Sequence, residues 1–559
     1  MNEQVGWVPT RAGEVFAGLH LPAPPARATA VLLVPPFGWE AMAAARNLRG
    51  WARALATAGY PTVRYHPPGT GDSAGDSAAQ DLLSWSAALT DLAAHTRAAT
   101  GCTRLAVVGL GLGGLVALQA VHDGCPVEDL VLWAVPGRGQ LLLRELRVFA
   151  AMTSEPGDPA GPVPTVAPAP PTDGLLWVHG YPLGGSAQQQ LAALDARTLD
   201  LSGVQRALVL GRGTLPHDAR LLGALTAAGV DASVEPGRGY DELTVEPRLS
   251  QPATEVVARV QHWLRPDQAA TVPGPLPAAR TSERRLTIGP VDAVLTVATD
   301  PVLTAVFVGA GATPRPGPNR LWTEAARRWA PWGVASLRLD LHGIGEAAGP
   351  DAWQLGPEGF YDESYRPQVR AALEAAVGEG LPDRFLLVGL CSGGLWAAQL
   401  ALEDPRVAGV VLLNPGSLVW PPPLGSADTR QHLFSRATWS RLLRDPKLRQ
   451  EVRNRARRSA QLLGRRVAGA PRGLPANTQE VLAALGAAGV PVLLGVSPGE
   501  AGLEDLQGLP PGGALTVRLL DGPTGAHTLS PAVLREQAEQ LLDEAARRVL
   551  DAVRAPAAG

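Results

Sequence analysis

Three side-chain types that together make a nucleophile reactive, a thiol, an imidazole and a carboxylate, stand in the last third of the chain at Cys391, His527 and Glu500. The thiol lies in Leu386-Leu387-Val388-Gly389-Leu390-Cys391-Ser392-Gly393-Gly394. An apolar strand there turns at once into a helix beginning near Leu395. A nucleophile on so sharp a strand-to-helix turn needs neighbours without Cβ atoms, which explains Gly389 and Gly393. The helix N-terminus lowers the thiol pKa and offers backbone N–H groups to a developing oxyanion. His527 falls between an expected strand at Leu515–Leu520 and a final helix at about Pro531–Val549. It is placed to take the thiol proton. Glu500, just past an expected strand at Val490–Gly495, is placed to orient the ring. Glu504 and Asp505 on the same stretch are alternatives for that role. The bland alternative for Cys391 is a small buried hydrophobe. The oxyanion donors expected from this arrangement are the N–H groups of Ser392 and of Ala310, in Gly309-Ala310-Gly311.

These residues need a scaffold of strands ending on one edge, and the sequence writes that scaffold twice. Arg64-Tyr65-His66-Pro67-Pro68-Gly69-Thr70-Gly71-Asp72 parallels Arg338-Leu339-Asp340-Leu341-His342-Gly343-Ile344-Gly345-Glu346. Val107-Val108-Gly109-Leu110-Gly111-Leu112-Gly113-Gly114 parallels Leu387 to Gly394, and Gly239 to Leu243 parallels Gly525 to Leu529. The offsets, 274, 280 and 286, drift slowly, as in two copies with small loop changes. The chemistry is missing from the first copy. Gly111 stands in place of Cys391, Asp241 in place of His527, and Leu215 or Pro216 near the place of Glu500. The first copy is therefore expected to be a pseudoenzyme. Gly109, Gly111 and Gly114 also match a dinucleotide-binding fingerprint, but they come late in their domain and no acid ends the next strand.

Strand-like runs alternate with helical stretches in both halves, at Val31–Val34, Thr62–Tyr65, Leu105–Val108, Leu130–Val135 and Ala207–Leu210, then Ala305–Val308, Ala335–Leu339, Phe385–Val388, Val410–Leu413 and Val492–Leu494. This is the pattern of an α/β chain with mostly parallel sheets covered by helices. The expected division is a first domain over residues 1–265, a Pro/Ala-rich linker over 266–280, and a second domain over 281–559. The second carries an insertion at about 415–475. Within it, Arg430 to Arg466 holds twelve Lys/Arg against Asp445 and Glu451, a balance of +10. That stretch is either a solvated helix face or a patch for an anionic substrate, with anionic lipid a third reading. Asp340 and His342 either line the pocket or cap a turn.

Net charge −3 and 46% hydrophobic residues imply neither nucleic acid nor another polyanion as partner. Glu3 and Glu14 make Met1 to Val15 unlike a signal peptide, and no apolar run is long enough to cross a bilayer. Cys102, Cys125 and Cys391 show neither metal spacing nor a disulfide framework, which fits a reducing cytosol. No metal and no cofactor are expected.

On these motifs each half resembles an α/β-hydrolase, and together the two cover nearly the whole chain. Pro35-Pro36-Phe37-Gly38, Glu40, Arg46 and Pro68-Gly69-Thr70-Gly71-Asp72-Ser73 are similar to hydrolases associated with bacterial exosortase systems. So are Ser497, Gly499, Gly502 and Leu503 around Glu500, and Phe434 to Leu443. Gly389-Leu390-Cys391-Ser392-Gly393-Gly394 resembles the lipase-like box of polyhydroxyalkanoate synthases. Dienelactone hydrolases and bile acid-CoA:amino acid N-acyltransferases also carry cysteine there. The resemblance implies tandem domains with cap insertions, the first degenerate, and hydrolysis of an ester or thioester through a cysteine acyl-enzyme. Alternatives are transfer of the acyl group from a thioester donor to an amine, thiol or alcohol, and a non-catalytic scaffold. The implied partner is a small acyl ester or thioester, free or carried by CoA or a carrier protein. The two domains would share an intramolecular interface, with no integral membrane contact.

Overall fold

Near-continuous apolar runs of five to seven residues are what a parallel strand covered on both faces requires. In the computed structural model they form two sheets of eight strands each. The structure describes residues 2–154, 174–213, 217–264, 266–267, 274–350, 360–419, 477–500, 514–523 and 526–555. Most of the insertion expected at 415–475, Glu504 and Asp505, and Leu215 and Pro216 lie outside the described residues.

The first sheet contains β1 (Asn2–Thr10), β2 (Gly13–Leu21), β3 (Thr29–Val34), β4 (Thr62–Tyr65), β5 (Arg104–Leu110) and β6 (Asp129–Trp133). A small hairpin, β7 (Leu176–Val178) with β8 (Tyr181–Leu183), stands apart before β9 (Arg206–Leu210) and β10 (Asp231–Glu235) complete the sheet. The order across it is β1-β2-β4-β3-β5-β6-β9-β10. The second sheet uses β11 (Glu283–Ile288), β12 (Val291–Thr296), β13 (Leu303–Val308), β14 (Val334–Asp340), β15 (Phe385–Leu390), β16 (Val407–Leu413), β17 (Val492–Val496) and β18 (Leu515–Leu519). Its order, β11-β12-β14-β13-β15-β16-β17-β18, repeats the first. The opening hairpin of each sheet is antiparallel and the remaining strands run parallel. Registers agree as well, since Val34 pairs with Gly109 and Val308 with Gly389.

Backbone exceptions recur in register. Gly71 and Gly345 have φ of 49° and 47°, Gly75 and Gly349 of 97° and 109°, and Gly111 and Cys391 of 51° and 54°. Only glycine adopts such angles without cost. Cys391 is therefore held in strain that its glycine counterpart avoids.

The two halves meet through exchanged ion pairs. Arg64 of the first half holds Glu346 of the second at 2.6 Å, while Arg338 of the second holds Asp72 of the first. These are the positions that the repeat pairs with one another, so each half supplies the cation for the other's carboxylate. Arg315 adds bonds to Asp72 at 3.1 Å and Asp340 at 3.2 Å, and reaches Asp292. Burial is nearly complete, with the side chains of Arg315, Arg338 and Asp72 each at most 1% exposed. The two guanidiniums hold the Asp72 carboxyl far below the usual carboxylate range against the opposing effect of burial. Burial drives Asp340 the other way, to about 7, despite Arg315 beside it. Asp340 accepts from the backbone N–H of Arg315 and of Glu346, so it ties the loops of the interface together.

Candidate active site

Cys391 ends the central strand β15 and starts the helix Ser392–Glu403. Its N–H donates to Leu413 O at 3.0 Å, and its own carbonyl accepts from Gly394 N–H at 3.0 Å, which fixes the turn. A Cβ at Gly389 would stand 2.4 Å from Gly393 O, and one at Gly393 would stand 2.4 Å from Val308 O. Both glycines are therefore steric necessities of a helix pressed against the sheet.

His527 and Glu500 arrive from two separate loops. Glu500 follows β17 and His527 follows β18. His527 Nδ1 lies 2.8 Å from Glu500 Oε2, which leaves the other ring nitrogen for Cys391. Burial works against charging the ring, but the bonds to Cys391 and Glu500 outweigh it and raise His527 above its ordinary value. Burial likewise opposes the thiolate, and the His527 hydrogen bond and charge bring Cys391 below an ordinary thiol. Both shifts favour the charge-separated form of the pair, with Glu500 behind the ring.

The structure brings Ser392 and Ala310 to the same place. Ser392 Oγ accepts from Gly311 N–H at 3.0 Å. That bond locks the loop after β13 onto the helix. Ala310 is buried in this loop, its carbonyl taken by Thr313 N–H at 2.8 Å. Its own N–H donates to no group among the described residues.

Three further residues belong to the site. The Tyr361 hydroxyl stands 3.8 Å from Cys391 Sγ. Asn414, at φ 41° after β16, donates to Ser497 Oγ at 3.0 Å and to His527 O at 2.9 Å, and accepts from Ser497 N–H at 2.7 Å. It thereby ties the Glu500 loop to the His527 loop. Asn319 donates to Thr528 O at 3.3 Å and Leu529 O at 3.1 Å. Sequence reasoning missed all three. Asn414 did leave a signal, a polar residue directly after an apolar strand, on the strand next to the one that carries the thiol. Asp340 takes the turn-capping role described above. His342 O accepts from the Tyr365 hydroxyl and its N–H donates to Gln368.

The first half presents the same backbone with different contents. Gly111 N–H donates to Trp133 O at 3.0 Å, as Cys391 does to Leu413. A Cβ at Gly111 would meet the Tyr240 hydroxyl at 2.6 Å. That hydroxyl donates to buried Glu40 at 2.8 Å, so a tyrosine–carboxyl pair fills the place of a nucleophile. By strand register Pro36 occupies the position of Ala310, and a proline has no N–H to offer an oxyanion. Ala134, at φ 57°, stands where Asn414 does. Asp241 is exposed and paired with Arg212 at 2.9 Å.

No protein-family model and no curated protein matches the sequence. Solved structures do match, each over about half of this chain. One is XC6422 from Xanthomonas campestris, described as an α/β serine hydrolase without lid, 14% identical over 47% of this chain and 93% of that one, TM-score 0.29. Another is Est1E from Butyrivibrio proteoclasticus, 12% identical over 46% and 96%, TM-score 0.32. A third is a proline iminopeptidase from Mycobacterium smegmatis, 16% identical over 48% and 99%, TM-score 0.29. The chain is an α/β protein of two mostly parallel, helix-covered sheets, and its neighbours among solved structures are α/β-hydrolases.

Proposed function

We propose that this protein is a hydrolase that cleaves an ester or thioester through a cysteine acyl-enzyme formed at Cys391. The observation that carries the reading is the Cys391–His527–Glu500 alignment, in which a strained, half-buried thiol stands beside an imidazole whose Nδ1 lies 2.8 Å from a carboxylate.

The thiolate adds to the acyl carbonyl carbon, and the carbonyl electron pair moves onto oxygen. Ala310 N–H and Ser392 N–H are the donors available to that oxyanion. Collapse breaks the bond to the leaving alkoxide or thiolate, which takes the proton held by His527. The neutral imidazole then removes a proton from water, and the hydroxide adds to the thioester. A second collapse releases the carboxylic acid and returns the thiolate–imidazolium pair. Glu500 stays ionised throughout and stabilises the charged ring. A thioester also yields readily to amines and thiols, so cysteine in place of serine favours acyl transfer as the second reading. The first half, without nucleophile, base or second oxyanion donor, acts as the partner that buries one side of the second half.

Labelling by iodoacetamide, followed by intact mass across pH, tests this. Single labelling at Cys391 should persist below the pH at which free thiols react. His527→Ala should slow it, and Cys391→Ala should abolish both labelling and turnover of a p-nitrophenyl or CoA ester. Loss of the general base should cost turnover about 100-fold or more. Labelling as slow as a free thiol's and indifferent to His527 would leave a non-catalytic protein.

A further inference from the structure

A cavity opens not at Cys391 but in the first half, against the second. It lies over the carboxyl ends of β3 and β4, where parallel sheets place ligands. Met42, Ala45 and Leu48 from the helix Gly38–Thr57 form one wall, and Pro314 and Pro316 of the second half form the opposite one. A smaller cavity shares Pro35, Ala41 and Tyr65 with it and reaches Leu112 and Gly113, beside the position that lacks a nucleophile.

The polar groups of the wall restrict what could enter. Arg64 is spent on Glu346, with both bonds at 2.6 Å, and on His20 at 3.0 Å. Arg320 is spent on the carbonyls of Gly71, Gly75 and Ser73, at 2.6–3.1 Å. No cation is left for an anionic ligand. His66 differs. Its Nδ1 accepts from Asp72 N–H at 3.0 Å, and burial holds the ring neutral, so its single proton sits on Nε2. Among the described residues no acceptor bonds that N–H.

From these observations we infer that the first half keeps a binding site for an uncharged, largely hydrocarbon ligand with one acceptor oxygen, held by His66 Nε2–H, as in a neutral fatty ester or amide. The site does not depend on chemistry at Cys391, but its wall is shared with that centre. Gly317, Asn319 and Arg320 form one turn with φ of 80°, 52° and 66°, in which Gly317 and Arg320 line the cavity and Asn319 holds the loop of His527. An occupant that shifts this turn shifts the imidazole.

Titration of the full-length protein with Nile red, displaced by methyl decanoate or by decanoate, tests the site. Methyl decanoate should displace the dye about tenfold better than the anion does. Ala45→Phe, which fills the cavity, should weaken dye binding by about tenfold or more. Ala41→Leu narrows the same cavity and should act the same way if Ala45→Phe does not fold. Dye binding should survive alkylation of Cys391, and saturating methyl decanoate should change the Cys391 labelling rate in wild type but not in Ala45→Phe. Unaltered binding in both cavity variants, or tighter binding of the anion, would overturn the site. Binding with no change in labelling rate would overturn its coupling to His527.

Discussion

Asp72→Asn is the sharpest probe of how the two halves are held. The carboxylate serves Arg338 through Oδ1 and Arg315 through Oδ2, and all three side chains are at most 1% exposed. Asparagine keeps the shape but removes the charge, and its amide N–H group faces a guanidinium that can only donate. Breaking a buried ion pair from one side costs roughly 3–5 kcal/mol. Each arginine keeps other carboxylates, Glu283 for Arg338 and both Asp292 and Asp340 for Arg315. The cost should therefore fall at the low end, about 3 kcal/mol. Equilibrium urea unfolding, followed by tryptophan fluorescence and far-UV circular dichroism, measures it. Asp72→Asn should lower the midpoint and make the two halves unfold separately, because the lost interaction is one that couples them. Asp241→Asn, which breaks an exposed pair with Arg212, should change stability by less than about 1 kcal/mol. An Asp72→Asn protein within about 1 kcal/mol of wild type would refute a dry, charge-exchanging interface.

Asn414→Ala removes the bonds that join the Glu500 and His527 loops, and should lower turnover about tenfold or more, on the scale of a misplaced catalytic group. Because Asn414 positions these groups without reacting, the fall should appear in kcat, and Asn414→Asp should not rescue it because it lacks the amide donor. Gly111→Ser should leave the first half without esterase activity and destabilise the protein by about 1 kcal/mol or more, because its Cβ meets the Tyr240 hydroxyl at 2.6 Å and sits at positive φ. His179 packs between Trp39 and Phe149 with both ring nitrogens buried and without partners among the described residues, so His179→Phe should raise the urea midpoint by about 1–2 kcal/mol of stability. Burial lowers the His179 pKa to about 4, below its unfolded value. A base with a depressed folded pKa loses stability as pH falls, here from about 6.5 down to about 4. That part of the pH dependence should vanish in His179→Phe.

The strands that carry the chemistry were legible because they are buried on both faces. β3, β5, β13 and β15 read as near-continuous apolar runs, and a run of glycines around a cysteine marks the elbow without needing long-range information. β6 was expected to reach Val135 but stops at Trp133, because Ala134 takes a positive φ that no side-chain pattern announces. The antiparallel hairpins β1–β2 and β11–β12 went unread. In Asn2–Thr10 and Glu283–Ile288 charged and polar residues interrupt the apolar ones, and some of those charges, Glu3 and Glu283, are buried by partners far away in the chain. Tyr361, Asn319 and Tyr240 were illegible for a similar reason. Each matters through one contact across a large gap in sequence, and neither periodicity nor spacing encodes such a contact. The exchange of arginines and carboxylates between the repeats was written in the aligned motifs, but its direction appears only in three dimensions.

That exchange sets a timetable for synthesis. Asp72 and Arg315 are 243 residues apart, and at roughly 5–20 residues per second the first half waits on the order of 10–50 s after Asp72 is made before its first counter-charge exists. During that interval Asp72 must stay hydrated, so the first half cannot close its final surface on the ribosome. The gene order thus makes the half without a nucleophile the waiting template, and the reactive half completes itself only by docking onto it. A stop codon anywhere before Arg315 would release a chain in which Asp72 never finds its partners.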